Sequence, residues 1–557
     1  MHESLRKLQD TGVTGMLDSA FGEWIAGRGN EVCGLAAALV SAEVGKGHVC
    51  LDLDAAAETL QARGITPPKG WREALEQSGV VASPGERAPL VLDGNHLYLH
   101  RYWTYETRIA DALRQLAAPS GNIDVAALGK ALQERFPEAG RGELDRQALA
   151  AAIGATRRLT IISGGPGTGK TWTACKLVAL ALELDRGLKV VLAAPTGKAA
   201  RRLGDVVAQG AENLSPEQRQ RFPDKPLTLH RLLGYNASRQ TLRHDASNPL
   251  DADLIVVDEA SMVDIGLMAR LLAALKPDAR LVLVGDRNQL ASVEAGAVFG
   301  DICLAAGGFA ADEAARFETA LGVPLPRAEG KASPVSGSIA LLKRNYRFGA
   351  EAIDELARAV VAGNADTALH LLQFAPAAVG EEPNSSSLAP RRGESVPSTP
   401  APRRGEPASS SPSPPWGEFT TSSPSPLWGE GRGEGTGAKP TTYPLTWRPM
   451  TNERQLSCEL DRITRTWFKP VLEANGPEEA LQQLARFRLL AAERRGAFGV
   501  EAMNAHIESL LGVRRRDPWY CGRPVLITEN DYELGLFNGD YGIIWPTGSD
   551  RAMLRIV

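Results

Sequence analysis

At 557 residues the chain is too long for a single hydrophobic core, and 43% apolar with 23% charged residues is the balance of an ordinary globular protein of two to four domains. A formal net charge of −4 excludes recognition of nucleic acid by global charge and leaves such a partner to local basic patches. Six cysteines without C-x-x-C spacing argue against a zinc site, no apolar run reaches the roughly 18 residues of a membrane span, and the N-terminus lacks the apolar core of a secretion signal, so the reading is cytoplasmic with no membrane partner.

Residues 1–115 read as mainly helical. Leu17, Phe21 and Trp24-Ile25 are spaced for one face of an amphipathic helix, as are Leu35, Leu39 and Val40. Leu90-Val91-Leu92 and Leu97-Tyr98-Leu99 are strand-like runs flanking Asp93-Gly94-Asn95, a turn signal. Arg101-Tyr102-Trp103-Thr104-Tyr105-Glu106 is aromatic and leads into a further helix. No catalytic constellation surrounds it, so its rings read as core packing.

Residues 116–379 alternate short apolar runs with helical stretches. The predicted strands, 159–163, 189–193, 254–258 and 281–285, are rich in Val, Ile or Leu without polar alternation, as strands buried on both faces are. Strands alternating with helices predict an α/β fold with a parallel sheet. Gly164-Gly165-Pro166-Gly167-Thr168-Gly169-Lys170-Thr171 follows the first strand and precedes a helix-like stretch, Trp172 to Leu184. This is the phosphate-loop spacing in the strand-loop-helix context it requires. Glycines let backbone N–H groups turn inward on phosphate oxygens, and the helix adds its positive end. ATP is therefore the expected cofactor, with Lys170 reaching its β and γ phosphates and Thr171 ligating Mg²⁺.

Leu254-Ile255-Val256-Val257 ends in Asp258-Glu259. A carboxylate at that strand end sits beside the phosphate loop in a doubly wound sheet. Asp258 is placed to hold Mg²⁺, and Glu259 to orient and deprotonate the attacking water. Gly285-Asp286-Arg287-Asn288-Gln289-Leu290 repeats the strand-then-polar-loop design, with Gln289 as a neutral donor able to sense the γ phosphate. In Lys343-Arg344-Asn345-Tyr346-Arg347-Phe348, Arg347 is placed as an arginine finger between two motor domains. Gln147, just upstream of the loop, can read the adenine edge. Ala194-Pro195-Thr196-Gly197-Lys198-Ala199-Ala200-Arg201-Arg202 and Thr228-Leu229-His230-Arg231 put hydroxyls and cations at further strand ends. Thr196, Lys198 and His230 are the residues expected to grip a nucleic-acid backbone there; a charged helix start is the alternative.

Residues 380–445 are dominated by Pro, Ser, Gly and Arg, and Gly-Glu recurs at 393, 405, 417 and 429. Such a composition cannot bury enough apolar surface to offset chain entropy, so this stretch is expected to be disordered, an inserted repeat, with a partner-binding polyproline-II segment as the alternative. In residues 446–557 globular sequence resumes, with helices predicted over 478–511 and short strands over 524–545 around Asn538-Gly539-Asp540.

Taken together, GGPGTGKT, APTGKAARRL, TLHRLLG, VVDEASMVD, VGDRNQLASVEAGAVFGD and NYRF resemble superfamily 1 DNA helicases, and within them the RecD-type alpha subunits of exodeoxyribonuclease V. Residues 97–106, 493–506 and 537–544 are similar to the same family. The resemblance implies a RecA-like P-loop motor domain, a helical N-terminal domain that docks beta and gamma subunits, and a second motor domain carrying an SH3-like β insertion. It further implies 5′-to-3′ ATP-driven translocation on single-stranded DNA from duplex ends, in double-strand break repair. Two C-terminal motifs of the family, His-Lys-Ser-Gln-Gly-like and Thr-Arg-Ala-like, are not found, so the second motor domain is expected to be incomplete. A truncated docking subunit and the motor of a conjugative relaxase are the alternatives; the relaxase would need a His metal cluster that the first 115 residues do not offer.

Overall fold

The computed structural model describes residues 3–118, 124–137, 142–185, 187–211, 216–223, 225–236, 239, 241–289, 295–328, 333–346, 351–373, 453–513, 519–528, 534, 536, 540–546 and 552–556. The chain divides into two compact units, Met1–Gly349 with Met450–Val557, and Ala350–Pro449.

The N-terminal region is less purely helical than its sequence suggests. Strands β1 (Cys50–Asp52), β2 (Val81–Ala82), β3 (Leu90–Asp93) and β4 (His96–Leu99) form one sheet in the order β1-β4-β3-β2. β3 and β4 are the hairpin around Gly94, whose φ of 58° is the left-handed conformation that turn requires. β1 and β2 are three and two residues long, too short to leave a periodic signature. Leu35, Leu39 and Val40 are buried in the helix Glu31–Gly45, as their spacing predicts. Helix Met16–Ala26 differs: Leu17 is 80% exposed, and the helix buries Ser19, Gly22 and Ile25. Its inner face is set by close backbone approach, since a Cβ on Gly22 would lie 2.6 Å from the Gly34 carbonyl oxygen. An apolar core of its own, from Leu8 to Leu97, holds this region together.

Next come β5 (Leu159–Gly164), β6 (Val190–Ala194), β7 (Leu227–Thr228), β8 (Leu254–Val257), β9 (Arg280–Gly285) and β10 (Ile339–Leu342), a six-stranded sheet in the order β10-β5-β9-β8-β6-β7. Every neighbouring pair is parallel. Alternate residues of each strand face opposite layers. Leu254 and Val256 pack with helices Arg146–Thr156 and Lys170–Leu184 on one side, while Ile255 and Val257 pack with His100–Leu116 and Ile265–Ala273 on the other. Both faces are dry, which is why these strands read as unbroken apolar runs.

Residues 450–557 contribute helices Glu453–Ile463, Pro477–Ala485 and Val500–Leu510, and an antiparallel sheet of β11 (Pro524–Leu526), β12 (Tyr541–Pro546) and β13 (Ala552–Ile556). The helical expectation over 478–511 is interrupted between Ala485 and Val500. Val471, Leu481, Leu484 and Ile543 form the small core beneath the sheet. In the other unit, helices Glu351–Val361 and Ala365–Gln373 pack on each other across Gly363, at φ 67°. The 380–445 insertion and the Asn538-Gly539 turn lie outside the described residues.

Candidate ATPase site

The phosphate loop leaves β5 at Gly164 and enters the helix at Lys170. Gly167 (φ 81°) and Gly169 (φ 78°) hold left-handed backbone that a side chain would strain. A Cβ at Gly169 would also lie 2.7 Å from Nε2 of Gln147, and one at Gly164 would lie 2.6 Å from Oγ1 of Thr168. The loop is thus closed around by its neighbours and admits only glycine at these places. Lys170 folds back over it, with Nζ donating to the carbonyls of Gly164 (2.7 Å) and Gly165 (3.1 Å).

β8 ends two positions along the sheet from β5, and Asp258 follows it directly. Oγ1 of Thr171 donates to Oδ2 of Asp258 at 2.9 Å. The next residue, Glu259, has φ 52°, the one non-glycine residue with positive φ among the described residues. That turn brings its backbone N–H onto Oδ1 of Asp258 at 2.9 Å, so both carboxylate oxygens are engaged. A left-handed glutamate costs about 1–3 kcal/mol and survives where the surroundings over-determine it, which is commonest at functional sites.

Electrostatics bind these groups together. Burial pushes the Lys170 ammonium down, opposed by the carboxylates of Asp286, Glu259 and Asp258. Burial pushes Asp258 up, opposed by the Thr171 hydroxyl, the Glu259 N–H, Lys170 and Arg202. Glu259 is raised by burial and then by Asp258, with Lys170 and Arg202 opposing. Buried carboxylates raised in this way are the groups from which general bases are recruited.

Gln289, after β9, receives a hydrogen bond on Oε1 from Oγ of Ser261 at 3.4 Å, which ties the β9 loop to the turn after Asp258-Glu259. Asp286 is buried and its Oδ1 accepts the Asn288 N–H at 3.0 Å. Gln147 sits at the first turn of a helix capped by Asp145, and its Nε2 donates to the Thr168 carbonyl at 3.1 Å. Beside it a cavity of about 410 Å³ opens, lined by Asp145, Arg146, Gln147, Thr168, Arg344 and Tyr346 among others. The segment after β10 is tied to the loop by Asn345 Nδ2 to the Pro166 carbonyl (3.0 Å) and Tyr346 N–H to the Gly167 carbonyl (2.8 Å). Arg347 lies outside the described residues.

Three further residues border these groups: Arg202, whose charge bears on Lys170, Asp258 and Glu259, and Asn345 and Tyr346, which hydrogen-bond to the loop. All three lie inside stretches whose composition had drawn attention to a neighbour. The oxygen set of Thr171 and Asp258 beside a phosphate loop suits a hard cation such as Mg²⁺, which prefers a carboxylate and a hydroxyl to nitrogen or sulfur.

The groups expected to meet nucleic acid are spread along the same sheet end. Thr196 closes β6, its Oγ1 accepting the Ala199 N–H at 3.2 Å. Lys198 is exposed and its Nζ lies 5.4 Å from the Tyr541 ring, which Arg488 also faces at 5.1 Å. Arg201 pairs with buried Asp540 at 3.2 Å. Residues 540–541 therefore clasp the start of helix Gly197–Ala211. His230 follows β7, exposed, with its ring 5.6 Å from Tyr235.

The family model for an AAA domain matches residues 147–295, and that for the N-terminal domain of RecBCD enzyme subunit RecD matches 10–98. RecBCD enzyme subunit RecD of Mycolicibacterium smegmatis is 34% identical over 531 residues, 92% of this chain and 76% of the relative. The Haemophilus influenzae protein of that name is 30% identical over 89% of this chain and 73% of its own. An ATP-dependent RecD2 DNA helicase from Deinococcus radiodurans is 40% identical over 205 residues, 36% of this chain and 25% of the relative.

Proposed function

The chain belongs to the RecD family of RecBCD enzyme subunits, and from that premise we propose that it is the ATP-driven 5′-to-3′ DNA motor of an exodeoxyribonuclease V complex. It is a DNA helicase and ATPase by that membership. The observation that carries the motor is the meeting of Lys170, Thr171, Asp258 and Glu259 at the carboxyl ends of β5 and β8, closed by the 2.9 Å bond from Thr171 to Asp258.

In this reading the loop N–H groups and Lys170 hold the triphosphate, Lys170 exchanging its two carbonyl partners for phosphate oxygens. Thr171 and Asp258 would hold Mg²⁺, which when bound neutralises charge on the β and γ phosphates. Glu259 orients and deprotonates the attacking water. Gln289, tied to Ser261, senses the γ phosphate, and Gln147 selects the base in the adjoining cavity. Arg347 supplies the finger. Thr196, Lys198 and His230 hold single-stranded DNA, so that changes at the β8 and β9 ends reach the strand through the shared sheet. Residues 1–115 dock the beta and gamma subunits and residues 116–379 form the first motor domain. Residues 380–445 are an insertion, and 446–557 belong to the second motor domain with its SH3-like part. The setting is cytoplasmic repair of double-strand breaks; among the described residues no helix is long and apolar enough to cross a membrane.

The test is strand displacement by the chain assembled with beta and gamma subunits, on a duplex with a single 5′ or 3′ tail. Displacement that requires ATP and the 5′ tail is expected. Displacement from the 3′ tail alone would overturn the polarity, and none from either tail would overturn the motor.

A further inference from the structure

Away from the phosphate loop, a cavity of about 310 Å³ lies between helix His100–Leu116, the turn after β7 and the segment after β8. Its wall carries Arg101, Tyr102, Tyr105, His230, Tyr235 and Arg270. The one carboxylate on that wall, Asp264, already accepts the Leu267 N–H at 2.8 Å as the cap of the next helix. The lining therefore presents two guanidinium groups, one carboxylate and four rings, a cationic excess of one.

Its parts are held in advance. Arg101 donates to the Tyr102 hydroxyl at 3.0 Å, with its guanidinium 4.7 Å from that ring. Tyr235 is 42% exposed and meets the His230 ring with 79° between the ring planes. A ligand matching a ring face and two guanidinium groups together is a base joined to a phosphate. In single-stranded DNA the base is available for stacking, whereas in a duplex it is stacked away.

We propose that this cavity seats one nucleotide unit of single-stranded DNA, its base against Tyr235 and its phosphates toward Arg101 and Arg270. The cavity joins the N-terminal helix His100–Leu116 to the motor sheet, so a strand seated there engages both. This rests on the DNA-motor reading and adds to it a site beyond the expected backbone grip at His230.

The test measures binding of a fluorescent oligo(dT) to the full chain by anisotropy across a salt series. Tyr235→Ala is expected to weaken binding about tenfold, as loss of one stacked base does, and Tyr235→Phe to restore it. Arg270→Ala should lower the slope of log affinity against log salt by about one. An oligonucleotide bearing 5-iododeoxyuridine should cross-link to Tyr235 on irradiation. Wild-type affinity and salt slope in both alanine variants, at wild-type melting temperature, would overturn the proposal and leave the motor reading standing. Absence of oligo(dT) binding by the wild-type chain would overturn both. If Tyr235→Ala does not fold, Arg270→Ala and the cross-link decide.

Discussion

The Thr171 hydroxyl donates to the Asp258 carboxylate across 2.9 Å, joining the helix after the phosphate loop to the end of β8 through two residues 87 apart in the chain. The bond sets the two oxygen donors beside the phosphate loop before any nucleotide arrives. Thr171→Ala removes one of them and leaves the buried carboxylate short of a partner. ATP hydrolysis should fall by about 10²-fold, the scale for losing one preorganised group, while Thr171→Ser keeps most of it. A steady-state phosphate-release assay checks this.

Glu259 is raised above the ordinary carboxylate value of 4.5 by burial, then by Asp258. If its carboxylate takes the water's proton, ATPase activity must fall on the acid side at a pH above that ordinary value. Glu259→Gln should leave a low rate without this acid limb. The pH profile of the ATPase at saturating ATP reads both.

The same raised groups predict a stability effect of definite sign. Asp258 and Glu259 hold their protons more tightly folded than unfolded. As pH rises from the unfolded values of 3.8 and 4.5 through the higher folded ones, the unfolded state ionises first and stability is lost. Asp258→Asn should therefore melt at a higher temperature than wild type near pH 7 while losing activity, and the gain should vanish below about pH 4. Thermal melts at the two pH values decide the point.

Gln147 stands between the loop carbonyl of Thr168 and the cavity of about 410 Å³. Gln147→Ala removes a donor and acceptor from that wall. The KM for ATP should rise by about tenfold, and discrimination against GTP should shrink by a similar factor, on the scale of one or two hydrogen bonds. Competition kinetics with the two nucleotides measure it.

Gly22 faces the Gly34 carbonyl so closely that an added Cβ would lie 2.6 Å away. Gly22→Ala should destabilise the N-terminal core by about 1–3 kcal/mol through overpacking. Faster amide hydrogen exchange in helices Met16–Ala26 and Glu31–Gly45, with the ATPase unchanged, is the expected readout.

The parallel sheet was legible because each of its long strands is apolar on both faces and because the glycine loop and the paired acids carry chemistry at fixed spacing. The β1 and β2 strands were not, being too short for periodicity. Helix Met16–Ala26 buries Ile25 and packs Phe21 on the core as its spacing predicts, but the small residues Ser19 and Gly22 complete its buried face and leave Leu17 outside. The left-handed Glu259 has no sequence signal, since glutamate normally avoids that conformation. Arg202 and the clasp of Arg201 on Asp540 depend on contacts distant in the chain, which no local pattern contains.

The most direct measurement is the single-stranded-DNA-stimulated ATPase of this chain beside Lys170→Ala. The account predicts hydrolysis that rises with oligo(dT) in the wild type and falls by at least about 10²-fold in the variant, which loses the cation on the β and γ phosphates. Equal rates in the two proteins would contradict it.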